Sequence, residues 1–222
     1  LIHGAFIAEA YAPLCAEPAL NSRYQLVRYH RRGYAGSSPV RAPFSLGQEA
    51  ADCRALLGHL GIERAHVVGH STGGAIALQL ALDAPELVHS LILLEPSLLD
   101  VPSGALLAEA LGPVLEQYGA GDKEGAADSF LRWAIGPDYR GWLDRLIPGA
   151  FQQAEHDVTG ALATPLVDDT VERIDPLKRL LGVDVRELAG QAVADHRALA
   201  FGGHRAFLTI NGTGRRSSLS LL

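Results

Sequence analysis

The 222-residue chain contains no methionine, two cysteines, two tryptophans and only two lysines, Lys123 and Lys178. Cys15 and Cys53 are too few for a disulfide framework, and no Cys/His spacing matches a zinc site. Both read as small buried hydrophobes. No stretch of 18 or more apolar residues exists, and no charged segment precedes an apolar run, which argues against a membrane span and a signal peptide. Positive charge is also short. Nineteen basic side chains face 25 acidic ones, a net charge of −6, which argues against nucleic acid as the main partner. A chain that opens on Leu1 and holds no methionine reads as a piece lacking at least its N-terminus. Arginine in place of lysine, with abundant alanine, points to a GC-rich coding sequence rather than to a charge-driven function.

What is present is sufficient for a core. Hydrophobic residues make up 48% and charged residues 20%, which rules out wholesale disorder. The expectation is a cytoplasmic globular protein of one domain, or one domain carrying a helical insertion.

Residues 24–29, Tyr-Gln-Leu-Val-Arg-Tyr, read as a short strand, followed by a loop dense in Gly, Ser and Pro from Gly33 to Pro43. Ser45 with Gln48 three residues on is a capping-box signature. Behind it Leu46, Ala50, Cys53, Leu57 and Leu60 recur at helical spacing, so the pattern predicts an amphipathic helix over 46–60, closed by Gly61. Residues 65–69 read as a strand, 74–83 as a helix of small residues, and 88–94 as another strand. Alternating strands and helices at this spacing imply βαβ units and a parallel sheet. From about 103 to 162 the pattern turns helical, with Leu106, Leu107, Ala110, Leu111 and Leu115 on one face and Phe130, Trp133 and Trp142 as core of that insertion. Phe207-Leu-Thr-Ile210 is strand-like, and 168–206 carries weak helical signals.

The central chemical signal is Gly69-His70-Ser71-Thr72-Gly73-Gly74, after one strand and before a helix. It matches the G-x-S-x-G nucleophile elbow in the setting that motif requires. A sharp turn holds the serine in a strained backbone conformation while glycines allow close helix packing. The hydroxyl then stands at the positive end of the following helix, where an oxyanion is stabilised.

On these residues the sequence resembles the α/β-hydrolase fold family. Leu1-Ile2-His3-Gly4-Ala5-Phe6 resembles the end of a strand followed by the family's oxyanion loop, and Arg32-Gly33-Tyr34-Ala35-Gly36-Ser37-Ser38 resembles its D-x-R-G-x-G-x-S loop, with His30 where an aspartate is usual. Leu91-Ile-Leu-Leu-Glu95-Pro96 resembles the strand preceding the family's helical cap. The resemblance implies an α/β fold, a mostly parallel sheet with flanking helices and a helical cap. Its segments are 1–96 as core with the elbow, 97–165 as cap and 166–222 as a poorly matched C-terminal part. It implies Ala5 and Thr72 as oxyanion donors, Gly69, His70, Gly73, His3, Gly4 and His30 as elbow and pocket residues, and no metal or other cofactor.

Serine at the elbow excludes the carboxylate chemistry of haloalkane dehalogenases and epoxide hydrolases, leaving acyl transfer. A serine needs a base and an orienting acid. No carboxylate lies in the stretch after Phe207–Ile210, so Glu95, closing an apolar strand, is the favoured acid. For the base, the family pattern offers Gly202-Gly203-His204, with His196 as neighbour. If Phe207–Ile210 is instead the penultimate strand, the true histidine lies beyond Leu222. The reading is a serine hydrolase acting on a small molecule with an apolar acyl or alcohol group. The alternatives are an inactive or incomplete hydrolase-fold protein, and a cofactor-free haloperoxidase or C–C bond hydrolase.

Overall fold

The computed structural model describes residues 1–40, 43–98 and 102–163, together with the backbone of two strands at 206–211 and 217–221. The described residues fall into two compact units. Ile2, residues 44–106 and the two late strands form one, while Leu1, residues 3–43 and 107–163 form the other.

In the first unit the Ser45 hydroxyl accepts the Gln48 N–H, and the Gln48 side chain accepts the Ser45 N–H in return at 2.9 Å. This reciprocal cap starts α1 (Leu46–His59), which buries Leu46, Ala50, Cys53 and Leu57. Leu60, expected on the same stripe, is 42% exposed because the chain has already left the helix towards Gly61 at φ +66°. Next come β1 (Ala65–His70), α2 (Thr72–Asp83), a single 3-10 turn at Pro85–Leu87 and β2 (Val88–Leu94). The two strands pair in parallel, with Val67 opposite Leu91 and Gly69 opposite Leu93, so α2 is the crossover of a βαβ unit. Its residues Thr72–Leu80 are buried all round, which suits an Ala- and Leu-rich helix without a charge before Asp83. On the other side of β1, Ile2 makes a parallel bridge to Gly69, its N–H donating to Val68 O at 2.8 Å.

Two further strands complete this sheet: β3 (Ala206–Asn211) antiparallel to β2, and β4 (Ser217–Leu221) antiparallel to β3. The strand expected at Phe207–Ile210 therefore forms, but as half of an antiparallel hairpin rather than as a parallel penultimate strand. A short connection between the two strands permits antiparallel pairing without a crossover helix.

The second unit opens with two short helices, α3 (Ala12–Ala16) and α4 (Pro18–Asn21), placed earlier in the chain than α1. No strand follows at 24–29, contrary to the sequence expectation. Tyr24 is half exposed with its N–H donating to Leu20 O at 2.9 Å, and the Leu1 ammonium donates to Val27 O at 2.8 Å. β-propensity is realised only where cross-strand neighbours exist to pack on. Five helices follow: α5 (Pro102–Gly119), which belongs to this unit from Leu107 on, α6 (Lys123–Ile135), α7 (Tyr139–Leu146), α8 (Ala150–His156) and α9 (Val158–Ala163). Val114, Ala127, Leu131, Tyr139, Leu143, Phe151 and Val158 form their core together with Phe6 and Tyr34. The face of α5 differs from expectation. Val114 is fully buried, whereas Leu106 and Leu115 are 37% and 52% exposed. Phe130 stacks on Phe6 at 4.3 Å, but Trp133 and Trp142, expected in the core, are about half exposed. No helix among the described residues is long and apolar enough to cross a membrane.

A close backbone approach fixes the 31–38 loop within this unit. Gly33 sits at φ +80°, and a methyl group on Gly160 of α9 would stand 2.3 Å from the Gly33 carbonyl oxygen. Two residues along, the Ala35 N–H donates to the buried Asp157 carboxylate at 2.9 Å.

Candidate active site

Ser71 links β1 to α2 at φ +53°, ψ −123°, a conformation disfavoured for any residue with a Cβ. The surroundings enforce it. Ser71 N–H donates to Leu94 O at 2.9 Å, and its carbonyl accepts from Gly74 N–H at 2.8 Å and Ser97 N–H at 3.1 Å. Two glycines make the turn possible for distinct reasons. A methyl on Gly69 would lie 2.2 Å from the Gly73 carbonyl oxygen, and one on Gly74 would lie 2.9 Å from Pro96 Cβ. Gly74, outside the five-residue motif, is thus constrained as well, though less tightly than Gly69. Thr72 is buried, and among the described residues its backbone N–H meets no acceptor. Such an N–H at the start of a 12-residue helix is suited to receive negative charge.

The end of the neighbouring strand carries the other groups. Glu95 sits at φ +45°, and its carboxylate lies 3.8 Å from His70 Nε2, both side chains about one-third exposed. Ser97 places its hydroxyl 3.0 Å from that of Ser71. Sequence reasoning singled out Glu95 and His70 but missed Ser97, which belongs to no motif and is signalled only by its place two residues past the strand-closing glutamate.

In the second unit, the loop expected to supply an oxyanion donor is held by a buried histidine. His3 Nδ1 lies 2.7 Å from Gly4 O, and Nε2 accepts the Arg31 N–H at 3.1 Å. The network assigns the ring proton to Nδ1. The buried Arg31 guanidinium donates to Gly4 O at 3.1 Å and to Tyr34 Oη at 2.9 Å, and lies 4.6 Å over the Tyr34 ring. Phe6 adopts φ +66°, and the Ala5 N–H has no acceptor among the described residues. His30 lies 2.5 Å from Glu9 Oε1, while Arg28 holds the other oxygen of that carboxylate. Arg31 was not anticipated; of the adjacent pair Arg31 and Arg32 beside a Gly-rich loop, neither carries a sign of burial in the sequence.

His204 and His196 lie outside the described residues. Among the described residues, Ser97 is the hydrogen-bond partner of the Ser71 hydroxyl, and no group of three or more His, Cys, Asp or Glu side chains is placed to hold a metal ion.

A family model described as the alpha/beta hydrolase fold matches residues 1–138. The dihydrolipoyllysine-residue acetyltransferase component of the acetoin cleaving system from Cupriavidus necator is 44% identical over 77 residues, 35% of this chain and 21% of that protein. Fluoroacetate dehalogenase from a Burkholderia species is 41% identical over 100 residues, 43% of this chain and 33% of that protein. The chain thus spans a third or less of these curated relatives. A hydrolase from Pseudomonas aeruginosa superposes with a TM-score of 0.57 at 23% identity, covering 79% of this chain and 66% of that one, a likeness of fold alone.

Proposed function

The chain belongs to the α/β-hydrolase fold family, and from that premise we propose that it is a serine hydrolase acting by acyl transfer on a small ester or related carbonyl compound. The observation that carries this reading is the strained turn at Ser71, φ +53°, followed by the unengaged N–H of Thr72. In the proposed reaction the Ser71 hydroxyl loses its proton to a base as its oxygen bonds to the carbonyl carbon. The carbonyl oxygen takes the charge, and Thr72 N–H receives it, joined by the Ala5 N–H that the resemblance supplies. Collapse expels the alcohol, which takes the proton, and water then hydrolyses the acyl-enzyme. Glu95 is the proposed orienting acid and His204 the proposed base.

The fluoroacetate dehalogenase relative invites a halide-displacing reading, which Ser71 does not support. Displacing halide with a serine oxygen would leave an alkyl ether, and water does not cleave an ether as it cleaves an ester on a carboxylate. An acyl-serine turns over readily. The proposed substrate carries an apolar acyl or alcohol group, as expected of the family's capped esterase-like branch. The second reading is a hydrolase-fold binding protein without turnover, which would keep the Ser71 turn while lacking a base in reach of its hydroxyl.

A fluorophosphonate probe with peptide mass spectrometry separates the two. Rapid labelling at Ser71, together with loss of ester hydrolysis in Ser71→Ala by several orders of magnitude, is expected. A folded Ser71→Ala protein keeping more than about a tenth of the rate would remove the nucleophile assignment.

A further inference from the structure

We propose that Ser97 is a positioning residue for the nucleophile, its hydroxyl donating a hydrogen bond to the Ser71 oxygen during attack. This rests on the reading of Ser71 as nucleophile. The 3.0 Å separation of the two hydroxyl oxygens leaves open which of them donates when both are neutral. The chemistry removes that freedom. Ser71 has one hydroxyl proton, and once that proton is directed at a base its oxygen has only lone pairs to offer. Ser97 is then the donor. As the Ser71 O–H bond breaks, charge builds on the oxygen and the hydrogen bond from Ser97 strengthens, lowering the barrier.

The backbone makes this geometry more than a chance rotamer. Ser97 N–H donates to the Ser71 carbonyl at 3.1 Å, and Ser71 N–H in turn donates to Leu94 O at 2.9 Å. Glu95 at φ +45° turns the chain back over the elbow, and Pro96 packs so close to Gly74 that no side chain fits there. Pro96 and Ser97 are therefore fitted to the elbow and the first turn of α2. Ser97 is the one that presents a polar atom to the reacting oxygen.

The test is the kinetics of Ser71 phosphonylation by a fluorophosphonate in the full chain. The Ser71 oxygen bonds to phosphorus, the P–F bond breaks, fluoride leaves and the serine proton passes to the base. Wild type is compared with Ser97→Ala, Ser97→Cys and Ser97→Thr, each checked by circular dichroism. The maximal labelling rate should fall roughly three- to tenfold in Ser97→Ala, the worth of one such hydrogen bond, with the half-saturating probe concentration unchanged. Ser97→Cys, which keeps the shape with a weak donor, should also be slow, and Ser97→Thr should recover to within about threefold of wild type. Equal maximal rates in wild type, Ala and Cys proteins overturn the positioning role alone, as does a slow Ala variant beside a Cys variant at the wild-type rate, since shape rather than donation then matters. No labelling of the wild type removes the nucleophile reading itself, and this role with it.

Discussion

Gly160 approaches Gly33 so closely that a methyl group added to it would stand 2.3 Å from the Gly33 carbonyl oxygen. Neither partner is a flexible side chain, so one backbone would have to move. Gly160→Ala should cost about 1–3 kcal/mol of stability by overpacking. For a chain of this size that corresponds to a fall of about 2–4 °C in Tm per kcal/mol. Gly33→Ala adds the cost of a side chain at φ +80° and should be worse. Melting temperatures indistinguishable from wild type in both variants would contradict the approach.

Glu95→Gln should slow ester turnover by roughly 10²–10⁴-fold, by analogy with loss of the orienting carboxylate of a triad. The charge stabilises the imidazolium formed as the serine proton moves, and an amide of the same shape does not. A steady-state rate close to wild type would return the acid's role to another residue.

Asp128 gives the second unit a dependence on acid. Burial works to raise its pKa, but hydrogen bonds from Tyr139, Arg140 and Arg132, with the Arg132 charge, outweigh it and hold the carboxyl below its usual 3.8. A carboxylate depressed in the folded state stabilises above its unfolded pKa and loses that contribution as pH falls through the folded value. Unfolding midpoints should therefore drop below about pH 4, and Asp128→Asn should flatten that slope while lowering stability at neutral pH. An unchanged slope in the variant would assign the acid sensitivity elsewhere.

Tyr11 offers the opposite kind of test. Its hydroxyl is buried with no hydrogen-bond partner among the described residues, and burial pushes its pKa up. Tyr11→Phe removes a desolvated polar atom while keeping the ring, so stability should hold or rise by about 1 kcal/mol. A clear fall in Tm would reveal a partner for that oxygen.

The parts that were legible in the sequence are those whose cause is local. The capping box at Ser45 and Gln48 and the Ser71 turn between β1 and α2 depend on residues within a few positions, and both form as the pattern requires. The stretch 24–29 failed because a strand depends on a partner that its own residues do not specify. Of the five residues read as one face of α5, Leu107, Ala110 and Leu111 are half-buried while Leu106 and Leu115 are exposed; all five are apolar, and apolarity alone does not single out Val114, which is fully buried. The Ala35–Asp157 bond and the contact between Gly33 and Gly160 join distant segments, so neither segment alone announces them. Ser97 was missed for a different reason: a serine in a loop has many ordinary explanations, and only its distance from Ser71 distinguishes it.

The span of chain between partners also has a kinetic consequence. Ser71 and Ser97 are 26 residues apart, joined through the βαβ unit, whereas Ala35 and Asp157 are 122 apart. Loop closure costs about 1.4 kcal/mol more for the longer span, from the logarithmic dependence of closure entropy on length. The turn that holds the nucleophile can therefore assemble early, from neighbouring chain, while the clasp on the 31–38 loop waits for the helices through α9 to arrive. During folding, and while the chain is still being made, the reactive serine would be shaped before that clasp closes. Pulse-labelling hydrogen exchange that protects the Ser71 amide before the Ala35 amide is the expected order, and the reverse order would show that sequence separation does not govern assembly here.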